Sequence, residues 1–176
     1  MKNILLSLSF IALAFPAFSQ TLSSDTLHWS SNRKLEWKDF SGKSLGVPGM
    51  TGQETMVMNA KFYKTLRAKA TVETVFDRKK SWAPKEEQTE QELKYYRTMF
   101  DLYEVESRKL RKLFKETKFG LDPDKVFQEK YNEALEALDE RSKLYMEETG
   151  LGADAAAMEK WNATLQLELK ELEAYQ

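Results

Sequence analysis

The side chains that most often carry out chemistry are scarce in this sequence. Its 176 residues include one histidine, His28, and no cysteine, so a zinc site built on two histidines or on thiolates cannot form. A Ser-His-Asp triad would have to use His28, and no Gly-x-Ser-x-Gly turn or glycine-rich phosphate loop is present. Carboxylates are plentiful, and an acid/base pair such as Glu104 with Glu148 stays open. We therefore expect no metal, no cofactor and no standard catalytic residue.

The longest regular pattern surrounds the stretch LKYYRTMFDLYEVESRKLRKLF, from Leu93 to Phe114. Large apolar side chains recur there every three or four residues, which predicts one continuous helix from about Lys85 to Lys118. The stripe ends in a basic run formed by Arg108, Lys109, Arg111 and Lys112. We interpret this run as a solvated helix face that complements the helix dipole, rather than as a nucleic-acid patch.

Two further helices and a small sheet should position this helix. Asp122 followed by Pro123 is a typical helix start, and Gly150 should end that second helix. A third helix is predicted from about Asp154 towards the C-terminus, because apolar residues again recur at helical spacing.

Between residues 54 and 82, two runs have side chains that alternate in character with a period of two residues, which is typical of an antiparallel hairpin with one covered face. The positions expected on that face are Met56, Met58, Ala60 and Phe62 in the first run, and Ala68, Ala70, Val72, Thr74 and Phe76 in the second. The turn around 64–67 lacks Gly and Asn, so turn chemistry does not define the register. Residues 21–52 are expected to be irregular. The predicted fold class is α+β, with a small antiparallel sheet (about 53–82) followed by three long helices (about 84–176).

Residues 1–19 have the features of a cleavable secretory signal peptide. Lys2 supplies a positive charge, an apolar run follows, and Ala17-Phe18-Ser19 places small residues before the cleavage site. The mature chain would begin near Gln20 as a single domain (20–176), with 26 basic and 28 acidic side chains and a net charge of −2. This balance gives no reason to expect nucleic acid as a partner. We expect an exported protein, periplasmic or extracellular, with no membrane span in the mature chain.

Several separated motif pieces share their order and spacing with one family. Near the start stands Leu35-x-Trp37-x-Asp39-Phe40-x-Gly42, and Ser81-Trp82 precedes the long helix. The pieces in the helix are Leu93, Tyr95, Tyr96, Arg97, Met99, Phe100, Asp101, Arg108, Leu110 and Arg111, and the late piece is Tyr145, Glu148, Thr149, Gly152 and Trp161. Over about residues 29–161 the chain resembles the secreted bacterial zincin-like metallopeptidase family, a domain-of-unknown-function family with a His-Glu-x-x-His-type motif.

The resemblance implies a zincin-like scaffold that has lost its zinc ligands and its catalytic glutamate. In the family, two histidines one helical turn apart hold zinc, the glutamate between them acts as base, and a later residue completes the site. This chain has Tyr95, Tyr96, Met99 and Leu151 at those four places, which we call the remnant-cleft positions. All four are aromatic or apolar, so we expect them to be packed as core, each contributing roughly 1.5–3 kcal/mol if buried.

The predicted function is therefore non-catalytic. The chain would be an exported pseudoenzyme, inactive as a peptidase, which binds an unidentified peptide, protein or envelope component through the remnant cleft or the helix faces. One alternative is a hydrolase with an unrecognised carboxylate or tyrosine site. The other is an unrelated secreted helical adaptor, in which Tyr95, Tyr96 and Met99 are ordinary packing residues.

Overall fold

A computed structural model describes residues 25–44, 55–63 and 69–176. They form an α+β structure in which a small antiparallel sheet is followed by three helices, as the sequence predicts. The predicted signal peptide, the hairpin turn at 64–67 and the face position Ala68 lie outside the described residues, as do residues 21–24 and 45–54. Within the described ranges, no helix is both long enough and apolar enough to cross a bilayer.

The sheet contains β1 (Thr26–His28), β2 (Met56–Tyr63) and β3 (Lys69–Asp77), in the order β1-β3-β2 with antiparallel neighbours. The antiparallel pairing of β2 with β3 confirms the hairpin that the two-residue alternation of apolar side chains predicts. Its register places Met58 opposite Thr74. β1 corrects the expectation that residues 21–52 are irregular. Three residues are too few to show a period, so only their tertiary pairing with β3 reveals this strand.

The central helix, α1 (Glu90–Glu116), begins later than the predicted start near Lys85. Pro84 leads instead into a single 3₁₀ turn, Lys85–Glu87. The Thr89 hydroxyl then accepts a hydrogen bond from the Glu92 backbone N–H at 3.1 Å. This cap satisfies one of the free N–H groups of the first helical turn, so the helix starts where the cap is available.

α2 (Pro123–Glu148) and α3 (Ala155–Glu171) begin at the predicted places. The carboxylates of Asp122 and Asp154 each accept a hydrogen bond from a backbone N–H in the first turn of their helix. The chain leaves α2 through Gly150, as predicted, and α3 is followed by a 3₁₀ turn, Glu173–Tyr175. Local capping chemistry is sufficient to set both helix starts.

α1 contacts β2 and β3 as well as α2 and α3. The predicted stripe is largely buried, including Leu93, Phe100 and Phe114. Leu102 and Val105, which lie outside that stripe, are fully buried as well. Because elements pack on both sides of α1, most of its circumference is core, whereas its sequence pattern indicates a single buried face.

Candidate binding site

Three of the four remnant-cleft positions are core. Tyr95, Tyr96 and Met99 are 3%, 7% and 3% exposed. The Tyr95 ring stacks on Tyr145 with centroids 5.1 Å apart, and Tyr96 packs against Phe40 at 5.1 Å. Burial raises the pKa of the Tyr145 phenol, which stays protonated and donates to the Tyr95 carbonyl oxygen at 3.0 Å. The expected packing is confirmed for these three side chains.

Leu151 differs from the other three. Its side chain is 65% exposed, so the expectation that it packs as core is wrong. Gly150, Leu151 and Gly152 have φ values of 54°, 55° and 93°, and this left-handed turn brings Gly152 against α1. A Cβ on Gly152 would lie 3.1 Å from Tyr95, and the Gln91 side-chain amide donates to the Gly152 carbonyl at 2.8 Å. The turn therefore does contact Tyr95, but through the backbone of Gly152 and not through the Leu151 side chain. The sequence signal for this close approach is a second glycine after the end of α2.

The aromatic contact at Tyr95 continues to α3. Tyr145 meets the Trp161 ring edge-on with centroids 5.4 Å apart, and the Trp161 indole N–H donates to the Glu148 carboxylate at 2.8 Å. Trp161 forms a wall of an open pocket of about 560 Å³ between α2 and α3. The described residues that line this Trp161 pocket are Arg141, Glu148, Ala157, Lys160, Trp161 and Thr164.

Arg141 is a fixed part of the pocket wall. Its guanidinium lies 5.7 Å from the centroid of Trp161 and forms ion pairs with Glu106 and Glu168. Burial acts to lower the pKa of Arg141, but the hydrogen bonds and charges of the two glutamates raise this pKa above its ordinary value. Burial acts to raise the pKa of Glu168, but Arg141 outweighs this effect and lowers it. Both groups are therefore charged at neutral pH, and Arg141 is neutralised by its own partners.

The basic run in α1 is not a solvated face throughout. Arg108 is 3% exposed, and its guanidinium donates to Glu104 at 2.9 Å and to the Leu169 carbonyl at 2.6 Å. Arg111 donates to the same carboxylate at 2.9 Å and to the Val72 carbonyl at 3.0 Å. The solvated-face interpretation is wrong for these two arginines, which tie α1 to α3 and β3. The spacing of Glu104 and Arg108, one helical turn apart, was the available sequence signal.

The structure does not bring the two candidate acid/base carboxylates together. Glu104 is 2% exposed and accepts from the Thr74 hydroxyl at 2.7 Å as well as from the arginines. Glu148 is exposed at the end of α2 and binds Trp161. At 1.5 Å per helical residue, Glu104 lies about 14 Å along α1 from Tyr95, which packs against the end of α2.

Other motif pieces have structural roles. Asp101 is 4% exposed and accepts from the Trp29 indole N–H and from the Gln166 amide, both at 2.7 Å. The Gly42 N–H donates to the Ser81 carbonyl at 2.8 Å, and a Cβ at Gly42 would lie 2.8 Å from that oxygen. Pieces that are distant in sequence therefore meet in space, and Asp101, Gly42 and Ser81 each take part in a hydrogen bond that joins them.

Neither a metal centre nor a relative marks the site. Among the described residues, no group of three or more His, Asp or Glu side chains is placed to hold a metal ion. No family model, curated protein or solved structure matches this chain. The zincin-like resemblance rests on the motif pieces alone and stays a prediction.

Proposed function

We propose that the chain is an exported, non-catalytic binding protein whose Trp161 pocket receives one side chain of a peptide or protein partner. The observation that carries this proposal is the difference between two adjoining regions. Tyr95, Tyr96 and Met99 are packed, whereas Trp161, reached from Tyr95 through Tyr145, borders an open pocket of about 560 Å³. Concave sites with an aromatic wall are frequent anchor points in interfaces.

The Trp161 ring is held in place by its neighbours. Tyr145 contacts its edge, Glu148 accepts its N–H, and the Arg141 guanidinium lies near its face. A side chain that is already ordered loses little conformational entropy when a partner binds. The indole is therefore suited to act as the central contact of an interface.

The charges beside the indole indicate the chemistry of the partner. Glu148 and Lys160 carry opposite charges on the two helices that form the pocket. Arg141 is already neutralised by Glu106 and Glu168. An apolar or aromatic side chain flanked by one acidic and one basic residue would match this arrangement, since complementary charges favour the correct partner and register.

Photo-crosslinking in the cells that export the protein tests this proposal. A photoreactive amino acid at Lys160 should give a discrete crosslinked product. The same group at Lys143, which is 63% exposed and lies on the opposite side of α2 from Arg141, is the matched control. Trp161→Ala should abolish the Lys160 product and Trp161→Phe should retain it, with circular dichroism showing that both variants fold. Equal products from the two positions, or a product indifferent to Trp161→Ala, would exclude this pocket.

The hydrolase alternative makes a separate prediction. Purified chain incubated with a fluorogenic peptide pool should show no turnover if the protein only binds. Turnover by the wild-type chain that is lost in Glu148→Gln, while the variant keeps its melting temperature, would favour the hydrolase.

Export is part of the proposal and is tested by the start of the exported chain. N-terminal sequencing should begin at Gln20, within a residue or two. A full-length chain recovered from the membrane fraction would contradict export by a cleaved signal peptide.

The zincin-like ancestry is tested by restoring two ligands. Tyr95→His with Met99→His places two imidazoles one helical turn apart on the same side of α1. If the backbone keeps the ancestral geometry, zinc should raise the melting temperature of this variant, because a ligand bound only by the native state stabilises it. A folded variant that does not respond to zinc would favour the unrelated helical adaptor.

A further inference from the structure

β1 is shorter than β3 and leaves part of one sheet edge uncovered. β1 ends at His28 opposite Val75, and the following residue, Trp29, donates its N–H to the Thr74 carbonyl. Backbone groups in an antiparallel strand alternate in direction, so those of Val72 and Ala70 point to the same edge as those of Thr74. In the described part of the chain, the Arg111 side chain meets the Val72 carbonyl, and no strand lies beside residues 69–72 on this edge.

An open pocket of about 480 Å³ lies next to this edge. Its described lining residues are Lys69, Ala70, Thr71, Val72, Arg111, Phe114, Lys115, Thr117 and Phe119. Two phenylalanines give it an apolar wall, and three of these side chains are cationic. No acidic side chain is present among the described residues that line it. We call this site the β3 edge pocket.

The charges around the β3 edge pocket are not balanced internally. Arg111 shares the single carboxylate of Glu104 with Arg108, so one negative charge faces two positive charges. Lys115 has no ion pair with another described residue, and its ammonium lies 5.2 Å from the ring centroid of Tyr175. Together with the exposed ammonium of Lys69, this arrangement attracts a negative group into a partly apolar site, where charge-assisted hydrogen bonds are strong.

We propose that the β3 edge pocket binds the C-terminal end of an extended peptide. The peptide backbone pairs with β3 at Ala70, beyond the Val72 carbonyl that Arg111 already occupies. The last side chain of the peptide packs on Phe114 and Phe119, and its terminal carboxylate accepts hydrogen bonds from Lys69 and Lys115. Side chains of a paired strand stand perpendicular to the sheet, so the carboxylate of an Asp or Glu side chain would lie above or below the sheet and not along the edge of β3. A main-chain carboxylate stays in that line, which is why the terminus is the occupant we assign.

Fluorescence anisotropy with synthetic peptides tests this inference without altering the fold. The first probe is the fluorescein-labelled hexapeptide Gly-Thr-Val-Thr-Val-Leu with a free carboxylate, and the second is its C-terminal amide. The acid should bind about tenfold or more tightly than the amide, and added salt should weaken its binding. A third probe is the amide with aspartate at the fifth position, which should bind no better than the plain amide. Equal affinities for acid and amide, no binding of the acid at low salt, or an aspartate amide that binds like the acid would each overturn the proposal.

Charge-removing variants of the protein provide the second comparison. Lys69→Gln with Lys115→Gln should weaken binding of the acid about tenfold. Lys125→Gln with Lys143→Gln removes the same charge from exposed positions of α2 and should leave the affinity unchanged. Equal losses in the two double variants would show that net charge, rather than the β3 edge pocket, governs binding. Trp161→Ala should not change the affinity of these probes, so this test is independent of the Trp161 pocket.

Discussion

Replacing Gly152 by alanine directly tests how the turn after α2 meets α1. Gly152 has a φ of 93°, and an added Cβ would lie 3.1 Å from both Cβ and Cγ of Tyr95 and 3.2 Å from its Cδ2. Gly150 is a matched control two residues earlier. Its φ is 54°, and the nearest atom to an added Cβ is the Ala153 Cβ at 3.8 Å, an ordinary contact.

The two substitutions should differ by the steric cost at Tyr95. Alanine at either position must adopt a left-handed backbone, which costs about 1–2 kcal/mol. At Gly152 the added methyl group must also be accommodated in a packed core, which costs about a further 1–3 kcal/mol. We therefore expect Gly152→Ala to lower the free energy of unfolding by about 2–5 kcal/mol and Gly150→Ala by about 1–2 kcal/mol.

Urea denaturation followed by far-ultraviolet circular dichroism measures both values. The decisive comparison repeats them in a Tyr95→Ala background, which lacks the ring atoms. There Gly152→Ala should cost about 1 kcal/mol less than in the wild type, and Gly150→Ala should cost the same. Equal costs for the two glycines in the wild type, or no change in the cost of Gly152→Ala on removing the ring, would refute the close approach of this turn to Tyr95.

Three further predictions follow from burial and charge. Leu151→Asn should change the free energy of unfolding by less than about 0.5 kcal/mol, because the side chain is exposed and asparagine tolerates positive φ. A loss of about 2 kcal/mol or more in a urea melt would instead place Leu151 in the core. Arg108→Met should lower the free energy of unfolding by about 3–5 kcal/mol, because it removes one partner of the buried Glu104 carboxylate. The neighbouring Lys109→Met, at a side chain 46% exposed, should lower it by about 0–1 kcal/mol. Equal losses for the two variants in urea melts would contradict the buried network. Because the pKa of Glu168 is lower in the folded state than its unfolded-state value near 4.5, this carboxylate stabilises the fold at pH values above 4.5. The stabilisation is lost as the pH falls through the folded-state pKa. Arg141→Gln should reduce this acid dependence in thermal melts, and an unchanged pH profile would argue against the ion pair.

Local sequence rules predicted the elements whose signals lie within a few residues. Asp122 and Asp154 begin α2 and α3 because a carboxylate next to the first turn caps it wherever the rest of the chain lies. The start of α1 was misplaced because Pro84 is equally compatible with the short 3₁₀ turn that it enters, while the Thr89 hydroxyl supplies the actual cap. β1 was missed because three residues carry no period, and its hydrogen-bonding partners belong to β3.

The candidate site divides in the same way. Composition alone excludes a two-histidine or thiolate metal site, since His28 is the only histidine and cysteine is absent. The apolar character of the remnant-cleft positions could be read from the sequence, and it correctly predicted that Tyr95 and Met99 are packed. The Trp161 pocket could not be read in this way, because its walls come from α2 and α3 and their spacing depends on how both helices pack.

The sequence by itself determined the fold class, the order of the β2–β3 hairpin and the three helices, and the lack of paired histidines and thiolates as metal ligands, because composition, periodicity and capping act locally. Only the tertiary structure decided which of several similar side chains are buried and which are exposed. Met99 and Leu151 are both large and apolar, yet they are 3% and 65% exposed, since the left-handed turn brings Gly152 rather than Leu151 against α1. Arg108 belongs to a basic run that suggests solvent, yet Glu104 and the Leu169 carbonyl hold it in the interior. In both cases the outcome depends on the path of the backbone and on partners far away in the sequence, which no local pattern records.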